Sequence, residues 1–176
     1  MEIKEVAGVR ILIADYIGVD AAGKLNIIGG GWTICGVQPN GLTVPHYLAV
    51  LVDIPHGHLG EDFALEIVLH DLTTSQIVQV AGPTGSSEAM RISQLYKVDP
   101  PQAGPGVYVP SDMFSRVQAV IGFAGGIPLT PGHRYAWRAK IDGEGDRGWE
   151  TEFLVAGPPP APVFGGPAGP ASIPEF

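Results

Sequence analysis

The chain has 176 residues, and its 10 lysines and arginines against 18 aspartates and glutamates give a formal net charge of −8. The cations are spread singly along the sequence, so no basic face for a nucleic acid is expected, and the lone Cys35 excludes an internal disulfide. With 25 glycines, 17 prolines and only 16% charged residues, the composition predicts many turns and few helices.

Period-2 alternation recurs from residue 9 to residue 155, and no segment carries a helical apolar stripe longer than two turns. Strands are predicted over 9–19, 24–28, 32–37, 46–54, 63–71, 76–80, 90–98, 117–123, 134–142 and 149–155. The 46–54 strand is apolar through its centre, which predicts a central strand covered on both faces. The 63–71 strand alternates, with Phe63, Leu65, Ile67 and Leu69 on its buried face. The fold is therefore expected to be all-β.

Three consecutive glycines, Gly29, Gly30 and Gly31, interrupt the second strand before Trp32. They predict a bulge or a bend where backbones approach closely, because glycine has no side chain to obstruct the approach. A phosphate loop is not indicated, since the Gly-Lys-Ser/Thr ending and the following helix are both missing. These four residues are assigned a structural role.

A second motif consists of Leu129, Pro131, Gly132 and Tyr135, followed by an alternating strand. It resembles the tyrosine corner of Greek-key sandwiches, in which a tyrosine hydroxyl bonds to backbone a few residues upstream. Together with about nine strands and no helical alternation, it predicts a Greek-key two-sheet β-sandwich of the immunoglobulin or fibronectin kind. A closed barrel or a jelly roll is the alternative architecture.

The composition changes after residue 156, which divides the chain into a β-sandwich domain (1–156) and an extended arm (157–176). The arm contains seven prolines and four glycines in 20 residues, a composition typical of extended polyproline II. Its apolar side chains are predicted to bind a protein partner: Val163, Phe164, Ile173 and Phe176. The alternative is a disordered terminus.

Candidate chemistry is sparse. His56 and His58 lie near acids in a loop, where solvated histidines are far commoner than metal ligands. Cys35 is expected to be a small buried hydrophobe. Trp137 is expected in the core, and Trp149 is the tryptophan expected at the surface, where it could stack on a sugar. No catalytic set, metal or cofactor is predicted, and neither an export signal nor a membrane span is visible.

The pattern LxADxxxxDxxGKLxIxGGGW, from Leu12 to Trp32, resembles the opening of an uncharacterised domain-of-unknown-function family of actinobacterial and bacteriophage proteins. The resemblance extends more loosely over residues 9–155, although His56 stands where relatives typically carry an aromatic residue. The family has no agreed activity. The resemblance therefore implies a small β domain of actinobacterial or phage origin.

The sequence is compatible with three functions. The first is a non-enzymatic structural or interaction module, such as a bacteriophage capsid decoration or accessory protein located in the virion, with the cytoplasm as the alternative location. Its partners would be proteins, through homo-oligomerisation or attachment to a larger assembly, without nucleic acid or membrane. The second is a carbohydrate or small-ligand binding domain, and the third is an enzyme with an unrecognised site.

Overall fold

The computed structural model describes residues 2–82, 85–101, 105–110, 112–145 and 148–157. These residues form strands and one four-residue helix, α1, so the all-β prediction is confirmed. The elements are α1 (Ile3–Val6), β1 (Gly8–Ala14), β2 (Tyr16–Val19), β3 (Leu25–Ile28), β4 (Ile34–Cys35), β5 (His46–Ile54), β6 (Asp62–Asp71), β7 (Gln76–Ile77), β8 (Gln79–Ala81), β9 (Ser87–Ala89), β10 (Arg91–Lys97), β11 (Ser115–Phe123), β12 (Arg134–Ile141) and β13 (Glu150–Val155). None of the helices in these ranges is long and apolar enough to cross a membrane.

Two principal sheets organise the described residues. One has the order β1-β5-β11, and the other has the order β10-β6-β12-β13-β4, with β7 paired to β6. Two hairpins, β2–β3 and β8–β9, complete the set, and β4 joins β13 in the one parallel pairing recorded among these ranges. The prediction that 46–54 is a central strand is confirmed, because β5 pairs with a neighbour on each side.

The two principal sheets share one apolar core. Alternate residues of β5 point inward and are fully buried, as Leu48, Val50 and Val52 show. The facing strand β6 contributes the four residues that its alternation predicts, Phe63, Leu65, Ile67 and Leu69, to the same cluster. Burying one such side chain contributes about 1.5 to 3 kcal/mol, so these rows are the main source of stability.

The first predicted strand, 9–19, is interrupted at Asp15 and forms two strands. After Asp15 the chain leaves the three-stranded sheet, and β2 pairs with β3 instead of continuing beside β5. This hairpin packs on the outer face of the sheet, where Ile17 meets the small residues Ala14 and Ala49 in a second apolar cluster. The helix α1 was not predicted, because four residues are too few to show a helical stripe.

The motif from Leu129 to Tyr135 connects β12 to the preceding loop. The Tyr135 hydroxyl accepts a hydrogen bond from the Thr130 amide (2.9 Å) and donates one to the Thr130 carbonyl oxygen (3.3 Å). Gly132 has a positive φ of 84°, which favours glycine, and its amide donates to the Val155 carbonyl oxygen. One tyrosine side chain thus satisfies two main-chain groups at the start of β12.

We predict that Tyr135→Phe lowers the free energy of unfolding by about 1 to 3 kcal/mol, because the Thr130 amide loses its partner and the Thr130 carbonyl oxygen keeps only the bond from the His133 amide at 3.4 Å. Chemical denaturation of the purified protein measures the change. Tyr108→Phe is the control, since Tyr108 is 83% exposed and its substitution should leave the denaturation midpoint in place. An equal effect of both substitutions would contradict the role given to the Tyr135 hydroxyl.

Candidate functional site

The three-glycine segment forms a turn that leads from β3 toward β4. Gly29 and Gly31 have positive φ values of 62° and 80°, and a β-carbon at Gly29 would overlap the Asp15 carboxylate. The Gly31 amide donates to the carbonyl oxygen of Ile13 in β1 (2.7 Å). These contacts confirm the predicted bend, in which the positive φ of Gly29 and Gly31 favours glycine.

Trp32, directly after this turn, begins a row of aromatic rings. Its ring meets His46 edge-on at 5.6 Å between centroids, His46 lies 4.9 Å from Phe123, and Phe123 stacks on Trp137 at 5.3 Å. The row therefore runs from the glycine turn into the core, and it joins residues from four distant parts of the sequence. Sequence reasoning found the tryptophans but not the row, because a register between strands brings the rings together.

His46 is the polar member of this row, and it is fully buried. Its Nδ1 donates to the Val44 carbonyl oxygen at 2.9 Å, which leaves Nε2 as a buried acceptor without a hydrogen-bond partner in the described residues. Burial lowers the pKa of His46, and the hydrogen bond to Val44 opposes that shift only in part. The imidazole is accordingly neutral at pH 7.

Cys35 and the loop histidines do not form a reactive centre. Cys35 is buried, and burial raises the pKa of its thiol, so the thiolate needed for nucleophilic attack is disfavoured. His56 and His58 form a short 3₁₀ turn, and His58 Nδ1 lies 3.0 Å from a Glu61 carboxylate oxygen. Within the described ranges, no group of three or more potential metal-binding side chains is present.

The expectation that Trp149 lies at the surface is wrong. Trp149 is only 9% exposed and belongs to the main core cluster, as does the fully buried Trp137. Its carbonyl oxygen accepts a hydrogen bond from the Ala139 amide, so Trp149 is paired to β12 rather than displayed in the glycine-rich loop. Trp32 is half-buried and lines an open surface cavity together with the glycine turn, so it is the most accessible of the three tryptophans.

Charged side chains are paired across the outer sheet faces. On the three-stranded sheet, Asp53 of β5 accepts hydrogen bonds from Arg10 of β1 and Arg116 of β11, the latter at 2.5 and 2.9 Å. Burial would raise the pKa of Asp53, but these two guanidinium groups outweigh it and hold the pKa below its usual value. On the other sheet, Arg138 pairs with Glu150 at 2.7 Å and Lys140 with Glu66 at 3.4 Å.

The exposed large apolar side chains are mostly concentrated in two groups. The first, which we call the hairpin patch, lies on β2 and β3, with Tyr16 at 48%, Val19 at 57%, Ile27 at 38% and Ile28 at 63% exposure. The second, which we call the loop patch, consists of Val107, Tyr108, Met113 and Phe114. The predicted partner-binding residues Val163, Phe164, Ile173 and Phe176 lie outside the described residues.

The neutral, buried state of His46 makes stability depend on pH. An unfolded histidine titrates near pH 6.5, and the folded pKa of His46 is lower, so the unfolded chain binds more protons below that pH. The free energy of unfolding should therefore not depend on His46 above about pH 6.5. Below that pH it should decrease as the pH falls toward the folded pKa of His46. His70 contributes in the same direction, because burial, with Arg138 and Lys140 nearby, also lowers its pKa.

We predict that His46→Asn reduces the loss of stability between about pH 7.5 and about pH 5, because the titrating group is removed while an amide donor remains near Val44. Denaturation at the two pH values measures the loss. His56→Asn, at an exposed position, should keep the wild-type pH dependence. An unchanged pH dependence in His46→Asn would show that the buried imidazole is not the group responsible.

Comparisons with known proteins do not assign a family. No family model matches the chain, and no curated protein sequence matches it. Among solved structures, the chain is similar to a Pseudomonas fluorescens alkylpurine DNA glycosylase, AlkC, bound to DNA containing an abasic site analog, at 13% identity and a TM-score of 0.31. The similarity covers 84% of this chain but only 30% of that structure. At this level it carries no argument about fold or function.

Proposed function

We propose that the chain is a non-enzymatic structural module that acts by binding other proteins, as a bacteriophage virion component such as a capsid decoration or accessory protein. The observation that carries this proposal is the clustering of exposed apolar side chains in the hairpin patch and the loop patch. Large apolar side chains exposed on a small domain are candidates for protein association. In the hairpin they occupy both faces, with Tyr16 and Ile28 on one face and Val19 and Ile27 on the other. The proposed location in a virion rests on the resemblance of the segment 12–32 to phage and actinobacterial proteins. The cytoplasm is the alternative location.

The ion pairs between neighbouring strands support a structural role. The carboxylates of Asp53, Glu66 and Glu150 face arginine or lysine side chains on neighbouring strands. Each of these pairs connects adjacent strands of one sheet. The pairs therefore help to fix the strand register, and they make the outer sheet faces polar. The loop patch adjoins one of these pairs, because the Arg116 guanidinium lies 5.1 Å from the centroid of the Phe114 ring.

We also propose that the two principal sheets form a Greek-key β-sandwich of the immunoglobulin or fibronectin kind. The double contact between the Tyr135 hydroxyl and the Thr130 backbone supports this, because a tyrosine corner is typical of such sandwiches. The shared core of the two sheets supports it as well. A carbohydrate-binding role is not favoured, because all three tryptophans are buried or half-buried.

The arm that follows the domain is proposed to be an attachment segment. The domain ends at a fixed point, since the Ala156 amide donates to the Cys35 carbonyl oxygen at 2.8 Å. Prolines preset an extended path and so lower the entropic cost of ordering the arm on a partner. Burying its four apolar side chains could contribute on the order of 6 to 10 kcal/mol before that cost.

We predict that truncation after Ala156 leaves the melting temperature nearly unchanged but weakens self-association or co-purification with a larger particle. The physical reason is that the arm contributes side chains to a partner rather than to the domain core. Sedimentation and particle co-purification compare the truncated and full-length proteins. A matched control keeps the length and the prolines but replaces Val163, Phe164, Ile173 and Phe176 by serine, and it should behave like the truncation. Equal assembly of the full-length, truncated and serine-substituted proteins would rule out a role of the arm in attachment.

A further inference from the structure

Strand β3 has an unpaired main-chain edge. The Asp20 amide donates to the Lys24 carbonyl oxygen, so the hydrogen-bonded pairs of the hairpin are Gly18 with Asn26 and Tyr16 with Ile28. The N–H and C=O groups of Leu25 and Ile27 then point away from β2. In the described ranges, no strand pairs with β3 on that side.

This edge also lacks the features that normally prevent strand pairing between molecules. Edge strands are commonly protected by charged side chains, by proline or by extreme shortness. The edges of the principal sheets have such protection: β10 carries Arg91 and Lys97, β1 carries Arg10, β11 carries Arg116 and β4 has two residues. The four residues of β3, Leu-Asn-Ile-Ile, include neither a charge nor a proline, and the last three are exposed.

We propose that β3 pairs with β3 of a second copy of this chain in an antiparallel arrangement about a two-fold axis at Asn26. An antiparallel edge is complementary to itself under two-fold symmetry, so a second copy supplies the required strand. Leu25 then lies opposite Ile27 of the second copy, and the outward main-chain groups of both residues form the new hydrogen bonds. The two hairpins become one four-stranded sheet.

Charges at the two ends of β3 favour this same orientation. Lys24 precedes β3, and the Asp15 carboxylate lies against Gly29, which follows β3. Neither Lys24 nor Asp15 forms an ion pair within the described residues. Antiparallel pairing places Lys24 opposite Ile28 of the second copy and near its Asp15, twice in each dimer.

The interface uses the domain alone and is independent of the arm. Removal of the arm and disruption of β3 are therefore separable: a dimer that survives truncation after Ala156 still supports the β3 pairing. If the arm proves not to be an attachment segment, the β3 pairing can still be correct. If the β3 pairing fails, the arm can still be an attachment segment.

The test is sedimentation velocity of the full-length protein over a concentration series, with two substitutions at Ile28. Ile28→Lys puts a lysine opposite Lys24 of the second copy, so the dissociation constant of the dimer should rise at least about tenfold. Ile28→Glu puts a glutamate there and should dimerise more tightly than Ile28→Lys. Non-specific repulsion between chains of net charge −8 predicts the reverse order.

Leu95→Lys is the matched control, because Leu95 is similarly exposed, at 68%, but lies on β10. It should leave the dissociation constant within about twofold of the wild type. A wild-type protein that stays monomeric at every concentration, equal effects of Ile28→Lys and Leu95→Lys, or tighter association of Ile28→Lys than of Ile28→Glu would each overturn the proposal.

Amide exchange in the wild-type protein gives a readout that does not depend on the folding of a variant. The amides of Leu25 and Ile27 should become more protected as concentration rises, whereas the amide of Asn26, already bonded within the hairpin, should change less. Protection of Leu25 and Ile27 that is independent of concentration would also overturn the pairing.

Discussion

The structure depends on the burial of β5 on both of its faces. Its inward row, including Leu48, Val50 and Val52, packs into the core shared by the two principal sheets. Its outward residue Ala49 is also fully buried, because the β2–β3 hairpin covers that side with Ile17. A shift of one residue would exchange these two rows and move Asp53 into the core, so burial fixes the register of β5 against β1 and β11.

Features that depend on periodicity within a single strand could be predicted from the sequence. The buried face of β6 and the central position of β5 were predicted, since alternation and a continuous apolar run report burial directly. The break at Asp15 was missed, although Asp15 is a charged residue in the same alternate row as Val9, Ile13 and Ile17 and is where the two strands separate.

Features that depend on register between strands could not be predicted. The aromatic row from Trp32 to Trp137 and the pairing of Asp53 with two arginines join residues that are distant in sequence. Trp149 was misplaced for a related reason: the neighbouring glycine-rich loop suggested exposure, whereas the pairing of Trp149 with Ala139 brings its ring into the core. The bend at Gly29 was predicted, but the hydrogen bond from the Gly31 amide to the Ile13 carbonyl oxygen, which ties the bend to β1, was not.

The β2–β3 hairpin packs on the outer face of the three-stranded sheet through Ile17, while three of the four residues of β3 are exposed. Native-state amide exchange tests this hierarchy most directly, by comparing β5 with β3 in one protein at low concentration. The amides of Leu48, Val50 and Val52 should exchange only through global unfolding, at a free energy equal to that from chemical denaturation, while those of β3 exchange through local opening. Exchange of the β5 amides at a free energy as low as that of β3 would contradict the central role of β5.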